Sequence, residues 1–227
     1  LRQNNKDIKF AKTKNINKNL IARLEIDKTK LDYIIKTIIE ITKLKDPVGV
    51  ILDKWQRPNG LKIKKISIPI GVIGVIYESR PNVTVDLSCL CFKSGNSVIL
   101  KGGSEAFFTN QIFINLFRES LKAYKVDINY VQFINKKDRR IVKNFLKDMG
   151  NYIDVIIPRG GKNLVKTVKE LCNVPLIGHL EGICHTFIDK NINSKMARDI
   201  VINAKMRSVG ICGATETLLI HKDCPKK

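Results

Sequence analysis

No stretch of this chain is long and apolar enough to cross a bilayer: its longest nearly uncharged run, Ile66 to Tyr77, falls well short of the roughly 20 residues a membrane helix needs. No signal-peptide pattern opens it. Cys89, Cys91, Cys172, Cys184, Cys212 and Cys224 form no C-x-x-C pair, and the 3 histidines have no zinc-ligand spacing. These absences point to a cytoplasmic protein with free thiols, no membrane contact and no metal. Acidic residues are also scarce, 21 against 41 basic ones, for a net charge of +20. Taken alone that balance suits a basic nucleic-acid-binding module. An RNP-like aromatic motif, a Cys/His finger and a dense basic arm are all missing, however, and the lysines are scattered among Ile and Asn. The excess is therefore attributed to AT-rich coding and to attraction for anionic substrates, with no specific nucleic acid as partner.

What is present is ample for a folded core: 227 residues, 44% of them hydrophobic, enough for one large domain or two small ones. Residues 1–30 are polar and lysine-rich and are expected to form an arm or exposed helix without chemistry. Apolar residues at Leu31, Ile34, Ile35, Ile38, Ile41 and Leu44 have helical spacing, which Asp46-Pro47 ends. After a turn at Pro58-Asn59-Gly60, alternation through Ile63, Ile66, Ile68 and Ile70 predicts a strand, and Val72 to Tyr77 a fully buried one.

From there strand and helix alternate. Helices are predicted at 83–93, 105–124, 137–149 and 162–172. The strands between them are 97–101, 130–134 and 152–157; strands at 174–178 and 183–189 and a helix at 194–206 capped by Ser194 follow. This pattern predicts an α/β fold, a parallel sheet with helices on both faces, and the family resemblance that the motifs below carry implies that this sheet is Rossmann-like. The expected organisation is an N-terminal arm or helix (1–30), this sheet domain (31–204) and the start of a second domain carrying Cys212 (205–227).

Ligands of such sheets bind beyond the carboxyl ends of the strands. Three of those ends carry polar, basic or glycine-rich turns, at Glu78 to Asn82, Lys101-Gly102-Gly103-Ser104-Glu105 and Pro158-Arg159-Gly160-Gly161. A phosphate can sit there on free helix amides, with Lys101 and Arg159 adding charge. None of the turns is G-x-G-x-x-G, and any one alone is equally well a plain tight turn.

The reacting group is sought at Gly210-Ile211-Cys212-Gly213. Flanking glycines let a substrate approach closely and leave amides to face an oxyanion, while Lys205 and Arg207 offer an electropositive setting for a thiolate. The competing reading of Cys212 is a small apolar residue packed in the interior.

Taken together, Gly71 to Thr84, Lys101 to Glu105, Pro158 to Gly161, Gly178-His179-Leu180-Glu181-Gly182 and Gly210 to Thr217 resemble the γ-glutamyl phosphate reductase family, also called glutamate-5-semialdehyde dehydrogenases, of the aldehyde dehydrogenase superfamily. The likeness runs from about residue 31 to the end in the family's order. It implies NADPH-dependent reduction of L-glutamyl 5-phosphate to L-glutamate 5-semialdehyde, with phosphate released, in L-proline biosynthesis. It further implies that Cys212 forms a thioester, with Asn82 and the Cys212 amide as oxyanion donors; Asn82 is alternatively a cap for the helix that follows it. Lys101, Gly102, Ser104 and Glu105, with Pro158, Arg159, Gly160 and Gly161, fall at the cofactor site; Lys101 is alternatively a solvated strand-end lysine.

Glu181 occupies the place of the superfamily's general base, 31 residues before the cysteine. A reductase gains nothing by hydrolysing its thioester, so its implied role shrinks to proton handling or cofactor positioning, or to a turn carboxylate. The family's usual arginine four residues before the cysteine is Ser208 here, leaving Arg207 and Arg80 as candidates for the substrate's charged groups. A homo-oligomer and a glutamate kinase partner are family expectations. The chain lacks an initial methionine and stops at Lys227, so a fragment is expected. The alternatives are another aldehyde or acyl-phosphate dehydrogenase of the superfamily, and a cofactor-domain fragment without turnover.

Overall fold

Asp7 and Asn4, two polar residues in a lysine-rich helix, are almost fully buried, and they explain how the chain begins. Helices α1 (Arg2–Thr13), α2 (Lys18–Leu24) and α3 (Lys28–Lys43) open it in the computed structural model, which describes residues 1–78, 80–136, 138–178, 182–209 and 211–224. Asn4 donates to the Leu24 carbonyl at 2.8 Å and accepts from the Ile26 amide at 2.8 Å, so α1 and the end of α2 are pinned side by side. The segment expected as an arm or exposed helix is helical and fastened. The predicted turn at Pro58-Asn59-Gly60 joins β1 (Ile51–Gln56) to β2 (Lys62–Ile66) in an antiparallel hairpin. Gly60 sits there at φ 87°, a region that glycine enters without steric cost. Alternation marks β2, which ends at Ile66 and does not reach Ile70, and does not mark β1; neither strand has a buried residue.

The core is a four-stranded parallel sheet in the order β5-β4-β3-β6. Its strands are β3 (Val72–Tyr77), β4 (Ser97–Gly102), β5 (Val131–Phe133) and β6 (Val155–Arg159). The helices between and after them are α4 (Pro81–Lys93), α5 (Phe107–Ala123), α6 (Arg139–Lys147) and α7 (Lys162–Leu171). Because side chains alternate along a strand, Ile73, Val75 and Tyr77 of β3 join Cys91 of α4 and Ile114 of α5 on one face. Ile76 points the other way, with Phe145 and Leu146 of α6 and Val168 of α7. Gly74 lies under Phe145, whose ring would be 2.9 Å from a β-carbon there. The α/β reading is met: a parallel sheet with helices on both faces.

The predicted strand over 174–178 is only a single bridge, Ile156 to Leu176. Pro175 has no amide to give to a ladder, which limits the pairing. The chain divides into two compact units at Gly178/His179, whereas the expected boundary fell after residue 204. The second unit holds β7 (Cys184–Ile188), α8 (Ser194–Met206) and β8 (Thr215–Ile220), the strands pairing in parallel. Its helix is capped by Asn193, not Ser194, since the Asn193 side chain accepts from the Met196 amide at 3.0 Å. Among the described residues no helix is long and apolar enough to cross a membrane.

Candidate functional site

The sheet order decides where the first unit can bind a ligand. The chain runs outward from β3 through β4 to β5 and then returns to place β6 on the other side of β3, so the switch point lies between the carboxyl ends of β3 and β6. Open α/β sheets bind ligands at such a crevice. Tyr77 is paired with Arg159 there, and the chain leaves the two strands as Glu78 and as Gly160-Gly161.

Glu78 is the residue that sequence reasoning passed over. Its carboxylate accepts the Gly161 amide at 2.8 Å, and its own amide donates to the Arg159 carbonyl at 3.2 Å. Helix α7 has no side-chain cap from its N-cap residue, Gly161, so a carboxylate from the neighbouring strand takes that place. A β-carbon on Gly160 would lie 2.7 Å from the Glu78 carboxyl carbon and from Leu164, which accounts for glycine at 160. An acidic residue at the end of a buried strand, beside a glycine-started helix, was the available signal.

At the end of β4, Lys101 is 8% exposed and donates to the Gly102 carbonyl at 2.9 Å. Burial lowers its pKa, and the Glu105 carboxylate works against that shift. It is therefore not the solvated strand-end lysine of the alternative reading. Gly102 has a packing reason of its own: a β-carbon there would meet the Asn110 amide nitrogen at 2.2 Å and the Tyr77 hydroxyl at 3.1 Å. Beneath it Tyr77, Thr84 and Asn110 form a buried chain, with Tyr77 and Thr84 hydroxyls 2.6 Å apart and Thr84 donating to Asn110 at 2.8 Å. Burial raises the Tyr77 pKa, so its hydroxyl stays protonated. Ser104 and Glu105 open a short 3-10 turn leading into α5.

Arg80 is the N-cap of α4 and Pro81 its first residue, so Asn82 stands inside the helix and does not cap it. Its side chain donates to Asp86 at 3.3 Å, and burial raises the Asp86 pKa despite that bond.

In the second unit Cys212 is exposed in the turn that precedes β8, which removes the packed-interior reading. The Cys212 carbonyl lies 3.3 Å from the Cys184 sulfur and would be 2.6 Å from a β-carbon on Gly182, so Gly182 permits this turn to close. Lys205 is paired with Glu216 at 3.3 Å, which leaves its charge partly answered, while Arg207 ends α8 with an exposed side chain. Glu181, His179 and Gly210 lie outside the described residues. No group of three or more His, Cys, Asp or Glu residues suited to a metal occurs among the described residues.

No family model matches the chain. Individual proteins do. It is 45% identical over 227 residues, its whole length, to the γ-glutamyl phosphate reductase of Bartonella quintana, covering 55% of that protein. Among solved structures, the γ-glutamyl phosphate reductase of Thermotoga maritima superposes with a TM-score of 0.91 at 39% identity, over 98% of this chain and 53% of that one. A propionaldehyde dehydrogenase of Rhodopseudomonas palustris shares the fold, with a TM-score of 0.60 at 21% identity. The chain spans about half the length of the curated relatives it matches.

Proposed function

We propose, because the chain is homologous along its whole length to the γ-glutamyl phosphate reductases, that it carries the cofactor sheet and nucleophile of an enzyme reducing L-glutamyl 5-phosphate to L-glutamate 5-semialdehyde in proline biosynthesis. The observation that carries this reading is an exposed cysteine, in a glycine-flanked turn, within a chain matched over all 227 residues.

In this reading the Cys212 thiolate attacks the acyl carbon, the bond from that carbon to the phosphate oxygen breaks, and phosphate leaves with a thioester in place. Asn82 and the Cys212 amide are assigned to the oxyanion. Arg80 and Arg207 are assigned to the substrate's anionic groups. Glu181 is assigned to proton handling or cofactor positioning. Cys212 is finally the leaving group, returning as thiolate.

The residues along the carboxyl edge of the sheet fit NADPH or NADP. Lys101 brings a cation to one strand end and Arg159 to another, with Ser104 and Glu105 beside the first. The Pro158 to Gly161 turn offers the start of α7, whose amide already holds a carboxylate and so suits an anion. When bound, the reduced nicotinamide supplies the hydride that converts a thioester to an aldehyde. A phosphate at Gly161 requires Glu78 to release that amide.

The test is the reverse assay, glutamate semialdehyde with NADP and phosphate, on this chain and on Cys212→Ser. Loss of all NADP reduction in Cys212→Ser is expected, and equal rates in both reject the mechanism. The half-length match also favours a second reading, a nucleotide-binding fragment without turnover. NADP binding with no reduction by either chain selects it.

A further inference from the structure

A cleft of about 360 Å³ lies in the first unit between the α2–α3 corner and the first turn of α4. We propose that it binds the carboxylate end of an acidic amino acid of glutamate length, through Arg23 together with Arg80. The proposal rests on the functional reading above for the class of ligand, and it adds residues from the segment that seemed to hold no chemistry.

Charge comes first. Arg23, Lys30 and Arg80 line the cleft, and among the described residues that line it the one acid is Glu25. Helix α4 begins there with Arg80 as N-cap and no side-chain cap, so its positive end faces the same space. The carbonyls at the end of α2 would supply the opposite sign. Lys30 covers them, donating to Ala22 at 2.9 Å and to Glu25 at 2.8 Å. The field in the cleft is therefore positive on both sides. Planar guanidinium groups match a carboxylate through paired N–H donors, a geometry that lysine lacks.

Shape then narrows the ligand. Ile26 and Ile34, both buried, form an apolar floor continuous with Val85, and the exposed ring of Tyr33 stands beside it. A bare inorganic anion would leave that floor wet. A chain of a few methylene groups ending in a carboxylate covers it while presenting its charge to the rim. Asn82, whose amide is oriented by Asp86, adds a polar group at the start of α4.

The test is calorimetric titration of the 227-residue Cys212→Ser chain with L-glutamate, 4-aminobutyrate and inorganic phosphate, without nucleotide. Saturable binding of L-glutamate, stronger than that of the other two, is expected. Arg23→Gln should weaken it about tenfold, and Glu25→Gln should tighten it about twofold. Both side chains are exposed, and an unchanged circular dichroism spectrum checks the fold. Equal glutamate affinity in the parent and Arg23→Gln overturns the proposal. So does phosphate or 4-aminobutyrate binding as well as glutamate, or glutamate showing no saturable heat. None of these outcomes depends on turnover or on Cys212, so the cleft and the thioester mechanism can fail separately.

Discussion

The two units use similar residues to opposite ends. In the first, β3 is buried at five of its six positions, between two layers of helices. In the second, α8 has no buried residue, and Ile183, Phe187 and Met206 are 68%, 59% and 66% exposed. Both are built from strand, helix and parallel strand, so local pattern does not separate them. A central strand with a neighbour on each side and a helix layer on each face hides its apolar side chains, whereas a two-stranded sheet with one helix leaves most of its surface open. Apolar area of that extent marks a surface suited to further contacts, and stability should therefore be concentrated in the first unit.

The largest expected effect breaks that contrast most directly. Leu100, fully buried in β4, should lose about 3 kcal/mol on replacement by Ala, from lost burial and the cavity left behind. The matching change Leu218→Ala in β8, where the side chain is 43% exposed, should cost less than about 1 kcal/mol. Urea unfolding of each variant reads both. A midpoint shift for Leu218→Ala as large as that for Leu100→Ala would show that the second unit's strands are covered in solution.

Sequence pattern made the first unit legible because its strands are apolar on both faces and its helices fall between them. Val72 to Tyr77 announces itself, and so does the glycine-rich turn after β6. The exposure of Cys212 in a turn was also legible, from the glycines near it. What stayed hidden depends on partners distant in sequence. Glu78 is an ordinary acid until β6 places Gly161 beside it, 83 residues on. Arg23 and Lys30 lie in the segment expected to be without chemistry, and only the meeting of the α2–α3 corner with the start of α4 brings them to a cleft. The cap of α8 was misassigned by one residue, because Asn193 and Ser194 are both good capping residues and only geometry chooses between them.

A polar anchor should come next in size. Helix α5 has no side-chain cap at its own N-cap residue; Asp7 of α1 serves instead, accepting from the Phe108 amide at 3.1 Å, the Thr109 amide at 2.7 Å and the Thr109 hydroxyl at 2.6 Å. Replacing Asp7 with Ala strands these buried donors and removes a negative charge from a helix start, at a cost of about 2 kcal/mol. Hydrogen exchange should show faster exchange in α1 and the first turn of α5, with β7 and β8 unchanged. An effect spread equally over both units would contradict their separate stability.

The smallest effect is read through the thiols. Burial pushes the Cys91 thiol up to about 11 from 9.0, and the Cys89 thiol also to about 11, through burial and the nearby Asp86 charge. Both folded-state values exceed the unfolded ones, so the folded state resists losing these protons. Their contribution to stability is complete below pH 9.0 and is lost as pH rises towards about 11. Cys91→Ala should therefore flatten the alkaline fall in the urea midpoint, and an unchanged slope would count against the buried thiol as its source. Cys212, exposed in the second unit, should meanwhile react with a thiol reagent at pH 8 at least about tenfold faster than Cys91, which is buried and which burial holds protonated. Mass spectrometry of the labelled peptides measures the ratio. Equal labelling would mean that the sheet of the first unit opens as readily as the turn that carries Cys212, and the contrast between the two units would not hold.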